Sequence, residues 1–170
     1  YAKLTEADRR SMSKKKHKPS QTISVVTPAY NEESNLPALR DRLVPVLEAL
    51  DLDWEWIIVD DNSCDGTSAF IHEENARDPR IRGIRLARNH GSHLALLMGF
   101  RRTTGDCGVL LTADLQDPPE RIPDLIEAWR NGGQIVWLTR SEGRGDKAST
   151  NALARGYYAF MRHALKLTHI

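Results

Sequence analysis

The sequence has few of the features that would place a protein outside the cell or across a membrane. It contains only two cysteines, Cys64 and Cys107, which are too few for a disulfide framework and predict reduced thiols. No apolar run approaches the roughly 18 to 20 residues of a membrane span. The first residues are polar and lysine-rich, so we expect no cleavable signal peptide. These absences favour a protein of the cytoplasm.

Length and charge distribution restrict the organisation further. The chain has 170 residues and a formal net charge of +1, which suits one domain with a proper core. Residues 1–21 are basic and lack hydrophobic periodicity, and we predict a disordered arm there. Residues 147–170 carry no acid and predict a basic amphipathic helix. A nucleic-acid binder is not favoured, because aromatic residues are not interleaved with the basic arm and acids occupy the middle of the chain.

Apolar runs alternate with segments of helical periodicity along the rest of the chain. This alternation is typical of βα units that build a mostly parallel sheet flanked by helices, the Rossmann-like α/β class. Five strands are predicted, at 23–27, 54–60, 81–87, 107–113 and 134–139. The helices are predicted at about 36–50, with a kink at Pro45, and at 67–76, 92–103, 118–130 and 149–166.

Polar residues follow every predicted strand. In open α/β sheets ligands bind outside the carboxyl ends of the strands, so these residues should converge on one edge and form a site. They are Tyr30, Asn31 and Glu32 after the first strand, Asp60 and Asp61 after the second, Arg88 and Asn89 after the third, Asp114 and Gln116 after the fourth, and Arg140 and Arg144 after the fifth.

The segment after the fourth strand has the chemistry of a cation site. Asp114 and Gln116 offer hard oxygen ligands, and Mg²⁺ or Mn²⁺ needs only one or two protein carboxylates when it also binds a diphosphate. Asp117 stands before Pro118 and Pro119, where a helix would start. We therefore interpret Asp117 as a helix cap in preference to a further cation ligand.

Four ordered motifs carry a resemblance to a known family. TPAYNEESNLP, IIVDDNSCDGT, RLARNHGSHLAL and LTADLQDPPERIPDLI resemble the successive motifs of family-2 inverting glycosyltransferases with the GT-A fold. They are most similar to the branch that transfers a sugar to a polyprenyl phosphate, such as bactoprenol glucosyltransferases and dolichyl-phosphate mannose synthases. The resemblance implies a nucleotide-sugar-binding GT-A domain at residues 22–146.

The resemblance also implies roles for individual residues. The nucleotide sugar would be held by Pro28, Tyr30, Asn31, Glu32, Asp60, Asp61, Arg88, Asn89 and Gly91. Asp114 and Gln116 would hold Mg²⁺ or Mn²⁺. The sequence departs from the mannose-transferring relatives at Thr112, because those relatives have an acid at that position.

The expected acceptor decides which catalytic groups are needed. A phosphate monoester is already ionised at neutral pH, so it requires orientation rather than a general base. Asp114, Arg140 and Arg144 are the catalytic candidates, and the two arginines would hold the acceptor phosphate. UDP-glucose is the favoured donor on the likeness of ADLQDPPE to glucosyl-transferring relatives, and GDP-mannose stays open.

Two alternative functions stay open, and the sequence also predicts where in the cell the protein acts. The acceptor could instead be a hydroxyl group, or the chain could be a truncated domain that binds nucleotide without turnover. The amphipathic character of residues 147–170 predicts contact with an anionic membrane surface. The protein is therefore expected to be peripheral to, or anchored at, the inner face of the cell membrane, and its oligomeric state is open.

Overall fold

A computed structural model describes residues 21–138 of the chain. Two compact units divide the sequence, Tyr1–Ile135 and Val136–Ile170, and all but three of the described residues belong to the first. The predicted basic arm, except for its last residue, and the predicted amphipathic helix lie outside the described residues. So do Arg140 and Arg144.

The described residues form a four-stranded parallel sheet in the order β3-β2-β1-β4. Its register brings Ala29 opposite Asp60, so the first two strands end side by side. The strands are β1, Thr22–Ala29; β2, Asp53–Asp60; β3, Ile81–Arg85; and β4, Cys107–Leu110. The parallel α/β prediction is confirmed.

Four α-helices flank this sheet: α1, Leu36–Glu48; α2, Thr67–Arg77; α3, Ser92–Phe100; and α4, Ile122–Arg130. One short 3₁₀ helix, Pro119–Arg121, precedes α4. Alternate residues of β1 face opposite sides: Val25 lies in the core that includes residues of α1, α2 and α4, and Val26 packs with α3. The central strands β1 and β2 are therefore buried on both faces, which explains why their sequences are largely apolar.

The predicted elements agree with the first four βα units and differ at their ends. The helix α1 contains Pro45, as predicted, and ends at Glu48, two residues before the predicted end. The strand β4 ends at Leu110, three residues before the predicted end. One further backbone hydrogen bond follows it, from the Leu111 amide to the Val26 carbonyl at 3.0 Å. Among the described residues, no helix has both the length and the apolar character needed to cross a bilayer.

The prediction of a fifth strand is wrong over residues 134–138, which form no strand. Ile135 is 76% exposed and has no strand partner in the described sheet. A short apolar run forms a strand only when a neighbouring strand and a packing surface receive it, because strand preference depends strongly on context.

Candidate functional site

The chain reverses after β1 through Asn31, which adopts a left-handed conformation with φ of 57°. Asparagine tolerates this region better than most residues. The Asn31 amide donates to Ser63 Oγ at 3.0 Å, and Asn31 Oδ1 accepts the Cys64 amide at 2.9 Å. This predicted ligand residue thus links the loop after β1 to the loop after β2, while its neighbour Tyr30 is 48% exposed.

The next residues of the same loop fasten it to the start of α2. The Glu32 amide donates to Thr67 Oγ1 at 2.9 Å, and Glu33 Oε2 accepts the Gly66 amide at 2.9 Å. An added Cβ at Gly66 would meet the end of the Glu33 side chain, which would have to shift away from this bond. Pro28, another predicted ligand residue, lies inside β1 opposite Val59, two residues before Tyr30.

Asp60 lies at the end of β2 and is 1% exposed. Its Oδ1 accepts the Ser63 amide at 2.7 Å, and its Oδ2 is 3.1 Å from Arg85 Nη1 in an ion pair without good hydrogen-bond direction. Arg85 also donates through Nη2 to the Ser63 carbonyl at 2.9 Å. One arginine at the end of β3 therefore fixes both the acid and the turn after it.

Asp61 connects the sheet to the loop before α3. It is 2% exposed, and its two oxygens accept the amides of His90 and Gly91 at 2.8 and 2.7 Å. Gly91 has φ of 87° and also donates to Asn89 Oδ1 at 3.0 Å. The structure thus brings Asp61, Asn89 and Gly91 together, and Arg88 is exposed beside them.

Asp114 and Gln116 follow β4 and are both exposed. Asp114 Oδ1 accepts the Gln116 amide at 3.1 Å and the Thr112 hydroxyl at 2.7 Å. Between them, Leu115 has φ of 61°, which is rare for a bulky residue, and its side chain packs against the core. The left-handed residue turns the backbone while its partly buried side chain stays packed against the core.

The interpretation of Asp117 as a helix cap is wrong. The 3₁₀ helix has Pro118 at its cap position and no side-chain cap hydrogen bond. Asp117 Oδ2 instead lies 3.0 Å from Thr112 Oγ1. With Asp117 as the cap, Pro119 would stand at the second helical position, where it has no amide hydrogen to donate, so one of the two donors that a cap can satisfy is missing.

Backbone conformation marks the same edge of the sheet. Within residues 21–138 three residues other than glycine have positive φ, and each follows a strand end or a segment that continues one: Asn31, Asn62 and Leu115. Strained backbone of this kind clusters at functional sites. Sequence reasoning gave no role to Arg85 or Ser63, because each acts through a contact with a residue of another segment or turn that no local pattern reveals.

The larger cavity of the described residues does not lie at the strand ends. A cavity of about 440 Å³ is lined by Leu47, Trp54 and Arg80 near the start of β2, at the opposite end of the sheet. A smaller one of about 190 Å³ includes Asp60 and Arg85. We give more weight to the strand ends, because ligands of parallel sheets bind there and the polar side chains converge there. Among the described residues, no group of three or more His, Cys, Asp or Glu side chains is arranged to hold a metal.

Comparison with known proteins adds relatives and a family. Glycosyl transferase family 2 matches residues 24–168. The undecaprenyl-phosphate 4-deoxy-4-formamido-L-arabinose transferase of Aeromonas hydrophila is 42% identical over 119 residues, 69% of this chain and 36% of that protein. The protein of the same name from Proteus mirabilis is 41% identical over 125 residues, 73% of this chain and 38% of that protein. The chain thus spans little more than a third of these relatives.

Solved structures share the fold. Glucosyl-3-phosphoglycerate synthase from Mycobacterium tuberculosis in complex with UDP has a TM-score of 0.56 and 26% identity, over 99% of this chain and 58% of that chain. The S. aureus TarS 1–349 complex with UDP has a TM-score of 0.53 and 22% identity, over 75% of this chain and 38% of that chain, and supports the fold alone.

Proposed function

The chain belongs to glycosyltransferase family 2, as its four motifs predicted, and from this premise we propose that it forms the donor-binding domain of a transferase. The proposed reaction moves a sugar from a nucleotide sugar to a polyprenyl phosphate with inversion. Support comes from relatives at 42% and 41% identity, which are named as undecaprenyl-phosphate sugar transferases. Because the chain spans about a third of their length, the activity of the whole protein belongs to the proposal.

The observation that carries the donor site is the convergence of three polar loops at the carboxyl ends of neighbouring strands. The loop after β1 is joined to the loop after β2 through Asn31 and Ser63, and the loop before α3 is joined to β2 through Asp61. Asp114 and Gln116 follow β4, which pairs with β1 in the same sheet. Such an edge suits a ligand with a base, a sugar and a diphosphate.

Divalent cation binding is part of the proposal. The donor set around Asp114 consists of carboxylate, amide and hydroxyl oxygens that are exposed or half-buried, and hard oxygens of this kind fit Mg²⁺ or Mn²⁺. Asp114 and Gln116 would hold the ion. When bound, it would supply positive charge that stabilises the departing diphosphate.

The acceptor needs orientation more than deprotonation, because a phosphate monoester is ionised at neutral pH. We therefore assign no general base. Arg140 and Arg144 are proposed to hold the acceptor phosphate through their planar guanidinium groups. We further propose that the reaction takes place at the cytoplasmic face of the membrane, with residues 147–170 as the contact to an anionic surface.

The donor is proposed to be a uridine nucleotide sugar. UDP-glucose is the first candidate on the likeness of the ADLQDPPE motif, and GDP-mannose is the competing guanosine donor. The names of the relatives support a second candidate for the sugar, a 4-deoxy-4-formamido-L-arabinosyl group. Separate experiments therefore test which nucleobase and which sugar the donor carries.

The decisive experiment is calorimetric titration of the 170-residue chain with UDP and with GDP, each with and without Mn²⁺. We expect metal-dependent binding of UDP that Asp114→Ala abolishes. Asp124→Asn is the matched control, because Asp124 is an exposed acid on α4 whose described ion-pair partner is Arg121. Preference for GDP would correct the base, and a folded chain that binds neither nucleotide would overturn the donor site.

Competition then identifies the sugar. UDP-glucose and UDP-linked 4-deoxy-4-formamido-L-arabinose are titrated against bound UDP, and the true donor should compete more tightly than UDP-linked sugars of other shape. Incubation of the preferred donor with undecaprenyl phosphate in detergent tests transfer. Nucleotide binding without transfer would favour the alternative of a binding domain that does not turn over.

A further inference from the structure

The cation site has one carboxylate fewer than the resemblance would supply. Thr112 stands two residues before Asp114, so Asp114 is the only acid between the end of β4 and Gln116. We propose that Asp117 provides the second carboxylate of this site and that the Thr112 hydroxyl positions it. This inference rests on the proposed function, because it concerns the cation that accompanies the nucleotide sugar.

The geometry around Thr112 brings the two acids together. Its Oγ1 lies 2.7 Å from Asp114 Oδ1 and 3.0 Å from Asp117 Oδ2. Carboxylates on residues three apart in a loop thus share one hydroxyl. Aspartate or glutamate at position 112 would bring a third charge to this place, whereas threonine brings a neutral bridge.

The shared hydroxyl leaves one contact uncompensated. A hydroxyl group has a single proton and donates it to one acceptor at a time. When Thr112 donates to Asp114, its oxygen faces the Asp117 carboxylate as acceptor against acceptor, and the reverse holds when it donates to Asp117. A cation bound by the two carboxylates would offset this repulsion, because it attracts both negative groups and the hydroxyl oxygen.

The backbone holds Asp117 in this position for a reason other than helix capping. The left-handed turn at Leu115 is anchored by its packed side chain, and Gln116 donates its amide back to Asp114 Oδ1 at 3.1 Å. Pro118 and Pro119 then fix the chain direction and offer no amide to the Asp117 side chain. The carboxylate is left facing Thr112.

Both acids keep an oxygen for a ligand. No residue in the described part of the chain donates a hydrogen bond to Asp114 Oδ2 or to Asp117 Oδ1. With Thr112 Oγ1 and the Gln116 side chain, these oxygens make a set of hard donors on one loop. Mg²⁺ and Mn²⁺ prefer such donors and complete their shells with water and phosphate oxygens.

The test is Mn²⁺ affinity, measured by the electron paramagnetic resonance signal of free Mn²⁺ during titration with saturating UDP and, separately, with saturating GDP. Asp117→Asn should raise the Mn²⁺ dissociation constant at least about tenfold, the scale seen when a metal site loses a supporting group. Asp124→Asn should leave it unchanged. Thermal unfolding of each variant checks that the fold is kept.

A rescue variant separates ligation from indirect effects. Thr112→Asp in the Asp117→Asn background moves the second carboxylate to the position that the relatives use, and we expect it to return the Mn²⁺ affinity toward the wild-type value. A lost affinity that this change does not restore would overturn the inference, because Asp117 would then act through the loop's shape.

The outcomes also separate this inference from the proposed function. Mn²⁺ binding that Asp114→Ala abolishes and Asp117→Asn leaves within about twofold, well below the effect of losing a supporting group, would overturn the role of Asp117 and leave the donor site standing. Absence of Mn²⁺ binding by the wild-type chain with either nucleotide would overturn both.

Discussion

The carboxylate of Asp61 holds the backbone of Gly91, whose amide hydrogen it accepts at 2.7 Å. Its other oxygen accepts the preceding amide, that of His90, at 2.8 Å. Asp61 is nearly buried, so these bonds form away from competing water. A side chain at the end of β2 thereby fixes the loop that leads into α3, and the loop's position depends on a bond between residues thirty apart.

Asp61→Asn is expected to destabilise the fold and loosen this loop. An asparagine side chain has one acceptor oxygen and one NH₂ donor, so the donor would face one of the two backbone amides. We expect a loss of about 1–3 kcal/mol in the free energy of unfolding, the usual cost of a buried polar group left without its partner. Urea denaturation of the two proteins measures it.

The same substitution should also affect nucleotide binding. Asp61→Asn should also weaken UDP binding, because the Asn89 and Gly91 loop belongs to the proposed donor site. Asp41→Asn serves as the control, since Asp41 is an exposed acid on α1 whose ion pair with Arg40 lies on the protein surface. Equal stability of the wild type and Asp61→Asn would contradict the importance of the two amide bonds.

The sequence predicted the features that depend on neighbouring residues, and it did not predict those that depend on residues distant in the chain. β1 and β2 were predicted because short apolar runs that alternate with helical segments are typical of strands buried on both faces of a parallel sheet. The strand ends then placed Asp60, Asp61 and Asp114 at one edge, because parallel strands finish on the same side.

The remaining features depend on partners that no local pattern contains. The bond from Asp61 to Gly91 and the ion pair between Arg85 and Asp60 join separate βα units, so they exist only once the register of the sheet is set. Asp117 was misinterpreted because its cap pattern is local while its partner Thr112 lies across a left-handed residue. Residues 134–138 failed as a strand because nothing in the described sheet pairs with them.

Gly91→Ala isolates the conformational cost at the same loop. Gly91 has φ of 87° and ψ of 156°, a region that residues with a Cβ rarely adopt. No atom lies within 4 Å of an added Cβ, so strain rather than collision sets the penalty. We expect a loss of about 1–3 kcal/mol in unfolding free energy.

Gly132→Ala is the matched control for this change. Gly132 has φ of 99°, and an added Cβ there also meets no atom within 4 Å, but the residue follows α4 away from the strand ends. Both variants should lose stability in urea denaturation, whereas only Gly91→Ala should weaken UDP binding in calorimetry. Equal UDP binding by the two variants would argue against a role of this loop in the donor site.

A buried carboxylate on the other half of β2 predicts a pH dependence of stability. Glu55 is 8% exposed and accepts the Ser24 hydroxyl and the Thr104 amide, each at 2.6 Å, as well as an ion pair from Arg82. Burial raises the pKa of this carboxyl, but the hydrogen bonds from Ser24 and Thr104 and the charge of Arg82 outweigh burial and lower its pKa overall.

The direction of the pKa shift fixes the direction of the stability change. Because the pKa of Glu55 is lower in the folded state, its ionised form stabilises the fold above the unfolded pKa of about 4.3, and this contribution is lost as pH falls through the folded value. Glu55→Gln should therefore cost about 1–3 kcal/mol of unfolding free energy at pH 7 and progressively less below about pH 4. Urea denaturation across pH 3 to 7 measures the stability of both proteins.

Glu73→Gln is the control, since Glu73 is exposed and its pair with Arg77 should contribute at most about 0.5 kcal/mol. A difference between wild type and Glu55→Gln that stays constant over this range would show that the charge of Glu55 does not contribute, and that its hydrogen bonds serve equally well when the group is neutral.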